Sequence, residues 1–341
     1  MDLVDRANFL FQAYTGAVPG ASIAIIRDGN ILIKKSYGLA EVSTKTPVKA
    51  STNFRLASLT KAFTAICVMK LVEGREIRFE DRLSDLIPSL PKYTEEISVR
   101  QMLDHTSGLG DYENDVPEGF PGQVHEDYVV EKVRSMDSTY FPPGSRFLYS
   151  DTAYVLLAVI VERVSGVQFP RFVEREIFEP LGMGGSTLYG GEDSKIKHRA
   201  FGYTKLGDCY AFNDQSKTSA TYGDGCIYSS VEDLLKWDQA LNTEKLVGEE
   251  MLEAAFTPGR LSNSSPTEYG FGWFITNKDG RKILHHVGAT AGFQHKFIRV
   301  PEEKLALIIL TNRDTYDLTL EKMPTEGEDS VKLLEYFNLI P

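Results

Sequence analysis

The stretch FRLASLTKAFTAICVMKLVEG, residues 54–74, predicts a helix that runs roughly from Ser58 to Glu73. Its side chains are apolar on nearly every face, a pattern typical of a buried helix rather than a surface helix. Gly74 follows at the C′ position, where a glycine commonly ends a helix. Lys61 lies three residues after Ser58, so the two side chains cover the same face of the helix. The sequence therefore predicts that a hydroxyl and an amine meet at the start of a buried helix.

Outward from this helix, strand-like segments occupy both ends of the chain and helical segments occupy its middle. Residues 20–39 contain two β-rich runs around Asp28-Gly29-Asn30, which is a hairpin signal. Beyond residue 268 the pattern is again β-rich, and the predicted strands are 270–276, 282–287, 293–300 and 304–311. Further helices are predicted at 152–164, at 231–241 after the candidate caps Ser229 and Ser230, and at 328–337.

This order of elements predicts an α+β fold, an α/β sandwich in which helices flank an antiparallel sheet and an all-helical region is inserted into it. We expect one structural unit over residues 1–341. Its sheet part would comprise approximately residues 1–74 and 206–341, and its helical part approximately residues 75–205.

Composition excludes several classes of function. The 341 residues carry a net charge of −11 and no run of Lys or Arg, so we expect neither a nucleic-acid partner nor a membrane partner. Three cysteines, Cys67, Cys209 and Cys226, are too few for a disulfide framework, and Cys67 lies in an apolar run that predicts burial. The spacing of Cys and His indicates no metal site. No signal peptide or membrane-spanning stretch is visible, which favours a cytoplasmic protein, although an exported protein without its leader would look the same.

A serine hydroxyl becomes an effective nucleophile when a base removes its proton, and a buried lysine can be that base because desolvation lowers its pKa. The Ser-x-x-Lys pattern begins at Ser58, Ser89 and Ser194. Only Ser58 opens an apolar helix, where backbone N–H groups can stabilise developing negative charge. The alternative is that Ser58 merely caps the helix and Lys61 is a surface residue.

Five stretches, taken in order, carry a family resemblance. They are FRLASLTKAFTA, LDHTSGL at 103–109, PGSRFLYSD at 143–151, Gly223-Asp224-Gly225 with Tyr228-Ser229-Ser230, and His286-Val287-Gly288 with Gly292-Phe293. Together they resemble the motifs of the class C β-lactamase, DD-peptidase and family VIII esterase superfamily, over roughly residues 20–312. The resemblance implies a β-lactamase/transpeptidase-like fold and acyl transfer through an acyl-enzyme on Ser58, with no cofactor and no metal.

The resemblance also implies roles for individual residues. Tyr149 would shuttle protons if nearby cations lower its pKa. The backbone N–H groups of Ser58 and Ala289 would form the oxyanion hole, and Gly288 would let a substrate backbone approach closely. His286 stands where β-lactamases usually have lysine, and could hydrogen-bond the tyrosine or bind a substrate carboxylate.

Two other positions, Tyr112 and Tyr222, fit the same Tyr-x-Asn/Asp pattern, but only Tyr149 follows a Pro-Gly turn and precedes a strongly apolar helix. His285 would face the opposite side of the strand from its neighbour. We expect His105 to brace the site, and Asp224 to lie in a solvated turn rather than at the rim of the site.

Asp151 departs from the family pattern, in which many members have asparagine. A carboxylate beside Lys61 favours the ammonium form of the lysine, and it cannot donate a hydrogen bond to an amide carbonyl. This departure favours substrates that carry a donor, such as a free amine, or esters that need no such contact. The alternative is that Asp151 simply caps the helix that follows it.

The resulting hypothesis is a serine hydrolase acting on an ester or on a small D-amino-acid-type amide or peptide. One alternative is a true β-lactamase or DD-carboxypeptidase, and another is a non-catalytic binding module that retains the fold. The expected partner is a small-molecule or short-peptide substrate.

Overall fold

The computed structural model describes residues 1–315 and 326–340. Within them, the largest sheet has six antiparallel strands in the order β3-β4-β5-β6-β1-β2. These strands are β1 (Ala21–Arg27), β2 (Asn30–Tyr37), β3 (Phe274–Lys278), β4 (Arg281–Thr290), β5 (Phe293–Val300) and β6 (Leu305–Thr311). The prediction of an antiparallel sheet built from both ends of the chain is thereby confirmed.

The predicted hairpin at the start of the chain joins β1 and β2. Asp28 and Gly29 adopt φ angles of 47° and 78°, the two positive values of the tight turn that matches the twist of paired strands. Strand β1 also pairs with β6, with Ala21 opposite Thr311. Every residue of β6 is buried, and β1 is buried from Ala21 to Ile26, as expected of central strands that are covered on both faces.

Helices cover both faces of the sheet. They are α1 (Leu3–Leu10), α2 (Thr60–Glu73), α3 (Leu83–Leu86), α4 (Val99–Leu103), α5 (Glu126–Arg134), α6 (Asp151–Ser165), α7 (Phe169–Val173), α8 (Glu179–Leu181), α9 (Val231–Ala240), α10 (Glu249–Ala255) and α11 (Glu326–Tyr336). Short strands at Leu39–Glu41, Thr46–Pro47, Phe54–Arg55, Thr187–Leu188, Tyr203–Leu206, Cys209–Phe212 and Ile227–Ser229 form three small sheets. Helices α1 and α11 pack on one face of the large sheet, while α2, α6 and α9 share a continuous core with its other face.

Helix α2 is buried along nearly its whole length, as its sequence predicts. The prediction about its end is wrong. Gly74 keeps a right-handed conformation with φ of −68°, and the left-handed turn falls on Arg75, with φ of 60°. The N–H of Arg75 then bonds the carbonyl of Val72, so the glycine is not the residue that reverses the chain.

The predicted strand 270–276 begins later, at Phe274, because Gly272 turns the chain with a φ of 81° and packs against the backbone of Ala62 in α2. Cys67 is buried, as expected, and Cys226 is buried as well. The predicted sheet part extends to residue 341, and residues 316–325 and 341 within it lie outside the described residues.

Over the described ranges, no single helix is long and apolar enough to cross a membrane. The pair Asp151–Ser165 and Phe169–Leu181 meets the length and composition requirements only when taken together, and it is bent by 80°. Most residues of α6 are buried inside the protein.

Candidate active site

Ser58 lies in a 3₁₀ turn, Ala57–Leu59, immediately before α2. Ala57 adopts a φ of 49°, a left-handed conformation that costs a non-glycine residue free energy and is often found at functional sites. Gly288 of β4 lies against this turn, and a Cβ at that position would clash with the carbonyl oxygen of Leu56. The structure therefore corrects one expectation, because the close approach at Gly288 is made by the protein's own backbone.

Lys61 is fully buried, which excludes the alternative of a surface lysine. Its Nζ lies 3.1 Å from Ser58 Oγ and 3.1 Å from the carbonyl oxygen of Asp224, and it forms an ion pair with the carboxylate of Asp151. A lysine ammonium has three N–H donors and no acceptor. All three donors are therefore engaged, one of them by the hydroxyl of Ser58.

Burial alone would lower the pKa of Lys61, but the charge of Asp151 and the nearby acidic groups of Tyr149 and Asp224 raise it above the ordinary lysine value. Lys61 is thus an ammonium, and the expectation that Asp151 favours this form is confirmed. The capping alternative for Asp151 is wrong. Ser150 is the N-cap of α6, and its Oγ accepts a hydrogen bond of 3.2 Å from the N–H of Ala153.

Tyr149 lies beside the lysine. The centre of its ring is 4.8 Å from Lys61 Nζ, and its hydroxyl is 3.5 Å from Nε2 of His286. Burial raises the pKa of Tyr149 above its ordinary value, and the opposing influences of Lys61 and Ser58 do not overcome it. The condition that nearby cations lower this pKa is therefore not met, and the phenol is neutral.

The tautomer of His286 follows from its contacts. Nδ1 lies 2.7 Å from the carbonyl oxygen of Val287, which only accepts, so Nδ1 carries the proton. Nε2 then accepts in the neutral ring, and it is 3.0 Å from the hydroxyl of Tyr269, a residue that the sequence analysis did not identify. His285 bonds Thr276 instead, at 3.0 Å, which agrees with its predicted orientation on the opposite side of the strand.

His105 braces the turn that carries the tyrosine. It is buried, and its Nδ1 accepts a hydrogen bond of 3.1 Å from the N–H of Ser150. Its ring centre is 4.3 Å from that of Tyr149. Burial lowers the pKa of His105 well below its ordinary value, so the ring is neutral and packs as an aromatic support.

Asp224 is not in a solvated turn, and that expectation is wrong. Its side chain is buried and accepts hydrogen bonds of 3.0 Å from the hydroxyls of Tyr112 and Thr221. Burial raises the pKa of Asp224 well above its ordinary value. Tyr112, one of the two alternative tyrosines, thus acts on the site indirectly, through the residue whose carbonyl holds Lys61.

The other two Ser-x-x-Lys matches lack this setting. Ser89 lies in an exposed turn, where Arg134 donates to its hydroxyl at 2.7 Å. Ser194 also lies in a turn, and its hydroxyl accepts from the N–H of Gly190 at 2.9 Å. Neither serine is near a buried lysine, so Ser58 alone combines the pattern with a buried helix.

A cleft of about 280 Å³ opens at the serine. It is lined by Arg55, Ala57, Ser58, Glu113, Asp151, Ser216, Thr218, Asp224, Gly225, Ala289 and Thr290. Arg55 and Glu113 were not predicted as site residues, because no local feature of the sequence indicates that either side chain faces the cleft. Burial, and then the charge of Asp151, raise the pKa of Glu113. Across residues 1–315 and 326–340, no group of three His, Cys, Asp or Glu side chains is placed to hold a metal ion.

The antiparallel sheet, the inserted helices and the cluster of Ser58, Lys61 and Tyr149 define a protein of the β-lactamase/transpeptidase-like class. The chain belongs to the Beta-lactamase family, whose model matches residues 7–327. It is 34% identical over 301 residues to Penicillin-binding protein 4* of Bacillus subtilis (strain 168), covering 84% of this chain and 66% of that protein. The chain spans 63–66% of the length of the first curated relatives that it matches.

Two solved structures share the fold over nearly their entire lengths. A penicillin-binding protein from Bacillus halodurans is 25% identical, with a TM-score of 0.80 and 98% of both chains covered. The D-amino acid amidase from Ochrobactrum anthropi SV3, solved with D-phenylalanine, is 23% identical, with a TM-score of 0.80 and 99% of both chains covered. The predicted fold class and family are thereby confirmed.

Proposed function

We propose that this protein hydrolyses an ester or a small amide of D-amino-acid type through an acyl-enzyme on Ser58. The observation that carries the proposal is the 3.1 Å contact between Ser58 Oγ and the Nζ of a buried, fully hydrogen-bonded Lys61. A fixed cation beside a hydroxyl stabilises the alkoxide that develops as the proton leaves. Lys61 orients the nucleophile and stabilises its charge, and it does not remove the proton.

The proton of Ser58 then needs another acceptor. The hydroxyl of Tyr149 interacts with Ser58 and can both accept and donate a proton, and Nε2 of His286 is the acceptor beyond it. As the Ser58 oxygen attacks the carbonyl carbon, its proton passes to the Tyr149 oxygen, and the phenolic proton passes to His286. On collapse of the tetrahedral intermediate, the same relay returns a proton to the leaving group. Water then repeats the sequence on the acyl-enzyme and releases the acid.

The oxyanion of the intermediate would be held by the backbone N–H groups of Ser58 and Ala289, which both line the cleft. A donor of this kind is worth about 3 kcal/mol of barrier. Ser58 precedes α2, so the partial positive charge of the helix N-terminus adds to the stabilisation.

The acids of the cleft support a substrate that carries an amine. Asp151 and Glu113 line it and accept hydrogen bonds only, so they suit an ammonium group on the substrate and disfavour an amide carbonyl at that position. The likeness in fold to a D-amino acid amidase agrees with this choice. Esters that make no contact with Asp151 or Glu113 are also suitable substrates under this proposal. The same carboxylates argue against an efficient β-lactamase, because a donor to the lactam amide is lacking at position 151.

Labelling with a fluorophosphonate, followed by mass spectrometry of the digested protein, tests the nucleophile. We expect one adduct on Ser58 in the wild type and none in Ser58→Ala. Ser89→Ala is the matched control, because Ser89 lies in the same four-residue pattern but in an exposed turn, and it should be labelled like the wild type. Retention of the adduct in Ser58→Ala would refute the proposed nucleophile.

A substrate panel then separates the candidate activities. We expect turnover of p-nitrophenyl acetate and of D-phenylalanine amide, with L-phenylalanine amide and nitrocefin hydrolysed far more slowly. Fast nitrocefin turnover would favour a true β-lactamase, and release of D-alanine from an N-acylated D-Ala-D-Ala peptide would favour a DD-carboxypeptidase. A protein without an adduct and without any turnover would be a binding module that retains the fold.

The pH profile of kcat/KM tests the relay. Histidine ordinarily titrates near pH 6.5, and His286 must be neutral to accept a proton. The value of kcat/KM should therefore decrease on the acidic side of a pKa in the wild type, and the profile of His286→Gln should lack this pKa. An unchanged acidic limb in that variant would remove His286 from the relay without affecting the role of Ser58.

A further inference from the structure

Arg55 is a buried cation on the wall of the cleft. It follows Phe54 in a short strand, three residues before the nucleophile, and only 3% of its surface is exposed. Its Nη1 donates hydrogen bonds of 2.7 Å to Ser219 Oγ and 3.1 Å to Thr290 Oγ1. Its Nε is buried and has no hydrogen-bond partner among the described residues. A guanidinium offers five N–H donors, so much of its capacity is unused.

No carboxylate lies within ion-pair distance of Arg55 in the part of the chain that the structure describes. Two acids, Asp214 and Glu113, feel the charge of Arg55 at longer range, and both are already engaged by other groups. Asp214 forms an ion pair with Arg199, and Glu113 accepts a hydrogen bond of 2.6 Å from Thr218. A buried charge without a counter-ion is strongly unfavourable, so retaining one at the edge of a cleft requires an explanation.

We propose that Arg55, with the hydroxyl of Thr290, forms a subsite for a carboxylate group of the substrate. The inference rests on the proposed hydrolase function and specifies its substrate class. Thr290 accepts from Arg55, and its own hydroxyl proton has no acceptor among the described residues, so it can donate to the same carboxylate. A carboxylate accepts hydrogen bonds from both groups, and it supplies the counter-charge that the guanidinium lacks.

The position of the subsite sets its relation to the reaction. Thr290 follows Ala289 directly in β4, and all three of Arg55, Thr290 and Ser58 line the one cleft. A substrate whose carbonyl carbon lies at Ser58 therefore places a nearby carboxylate against Arg55. Asp151 and Glu113 present negative charge to the same cleft, whereas Arg55 presents positive charge. The cleft as a whole therefore suits a molecule with separated positive and negative groups.

The alternative is that Arg55 only stabilises the fold through Ser219. A comparison of two substrates distinguishes the two roles, namely 3-acetoxybenzoate and its uncharged methyl ester. We expect the ratio of their kcat/KM values to fall about 10- to 100-fold in Arg55→Gln, mainly through the KM of the charged substrate. Arg100→Gln is the matched control, since Arg100 is an exposed arginine outside the cleft, and the ratio should be unchanged there. Equal losses for both substrates in Arg55→Gln would overturn the subsite.

Two further variants cover the case in which Arg55→Gln does not fold. Arg55→Lys keeps the charge but not the fork of donors, and Thr290→Val removes only the hydroxyl. Both should lower the same ratio by a smaller factor. An unchanged ratio in Thr290→Val and in Arg55→Lys would also refute the proposal.

Calorimetric titration of the protein with D-alanyl-D-alanine and with D-alanyl-D-alanine amide makes the test independent of turnover. In Ser58→Ala, we expect the free acid to bind more tightly than the amide, with a difference that decreases in high salt and disappears when Arg55→Gln is added. This result would support the subsite even if no substrate were hydrolysed. Equal binding of the two peptides would overturn it even if Ser58 proved to be the nucleophile.

Discussion

Replacing Asp151 by asparagine should destabilise the protein and change its dependence on pH. The variant restores the amide that many members of the family have, and it leaves Lys61 as a fully buried ammonium without its charged partner. Breaking a buried ion pair costs about 3–5 kcal/mol. Asp151 is 18% exposed and an asparagine oxygen can still accept from Lys61, so we expect a smaller loss of unfolding free energy, about 2–3 kcal/mol.

The sign of the pH effect follows from Lys61. In the wild type the pKa of Lys61 lies above the ordinary value. The preference for the charged lysine therefore contributes stability below the pKa of a free lysine, and this contribution is lost as the pH rises through the raised pKa. Without the charge of Asp151, burial becomes the main influence and lowers the pKa of Lys61. The variant should therefore regain stability as the pH rises towards about 10, where the lysine loses its proton.

Urea unfolding of both proteins at several pH values between about 7 and 10 measures the difference. Asp81→Asn is the control, because Asp81 is also 18% exposed but pairs with the well-exposed Arg78, and its loss should cost about 1 kcal/mol or less. A stability gap that stays constant over this pH range would refute the coupling between Asp151 and Lys61. Asp151→Asn should also show faster acylation by nitrocefin relative to p-nitrophenyl acetate than the wild type does, because an amide can donate a hydrogen bond where a carboxylate cannot.

Three further variants follow from the site and its surroundings. Gly288→Ala should lower the free energy of unfolding in urea by about 3 kcal/mol and should also lower kcat, because the new methyl group displaces the Leu56 carbonyl and the turn after it. An unaltered kcat would contradict this reasoning. Tyr112→Phe should lower the free energy of unfolding by about 1–3 kcal/mol, because it removes a hydrogen-bond donor from the buried Asp224. An unchanged free energy of unfolding would mean that water replaces the phenol. Burial raises the pKa of Asp104 from 3.8 to about 6, so its contribution is favourable at low pH and is lost as the pH rises through that value. Asp104→Asn should therefore lessen the fall in unfolding free energy between about pH 4 and 6. A pH profile of stability identical to that of the wild type would exclude the raised pKa of Asp104.

The elements of the fold were largely predictable because their signals are local. The apolar α2, the Asp28-Gly29 turn and the capping serine Ser230 each depend on residues a few positions apart. The boundaries that were wrong depend on tertiary packing. Gly272 turns the chain because it lies against the backbone of α2, and the sequence of residues 270–276 alone does not predict that contact.

The site was predictable where a motif specifies it and not where distant residues meet. Asp224 lies between glycines, which suggested a solvated turn, but Tyr112 contacts it across 112 positions of sequence. The raised pKa of Tyr149 depends on burial by residues from several elements, so the sequence alone could not give its direction. Arg55 was visible within the nucleophile motif, but its lack of a counter-ion is evident only from the full set of contacts.

The pairing of β1 with β6 affects how a ribosome-bound chain can fold. Strand β1, ASIAIIR, is made well before the partner for its second edge, residues 305–311. Until then the β1–β2 hairpin carries an apolar, unpaired edge of the kind that recruits other chains. Synthesis that stalls within the helical insertion would leave that edge open, so we expect truncation products that end before residue 305 to aggregate more than chains that include residues 305–311.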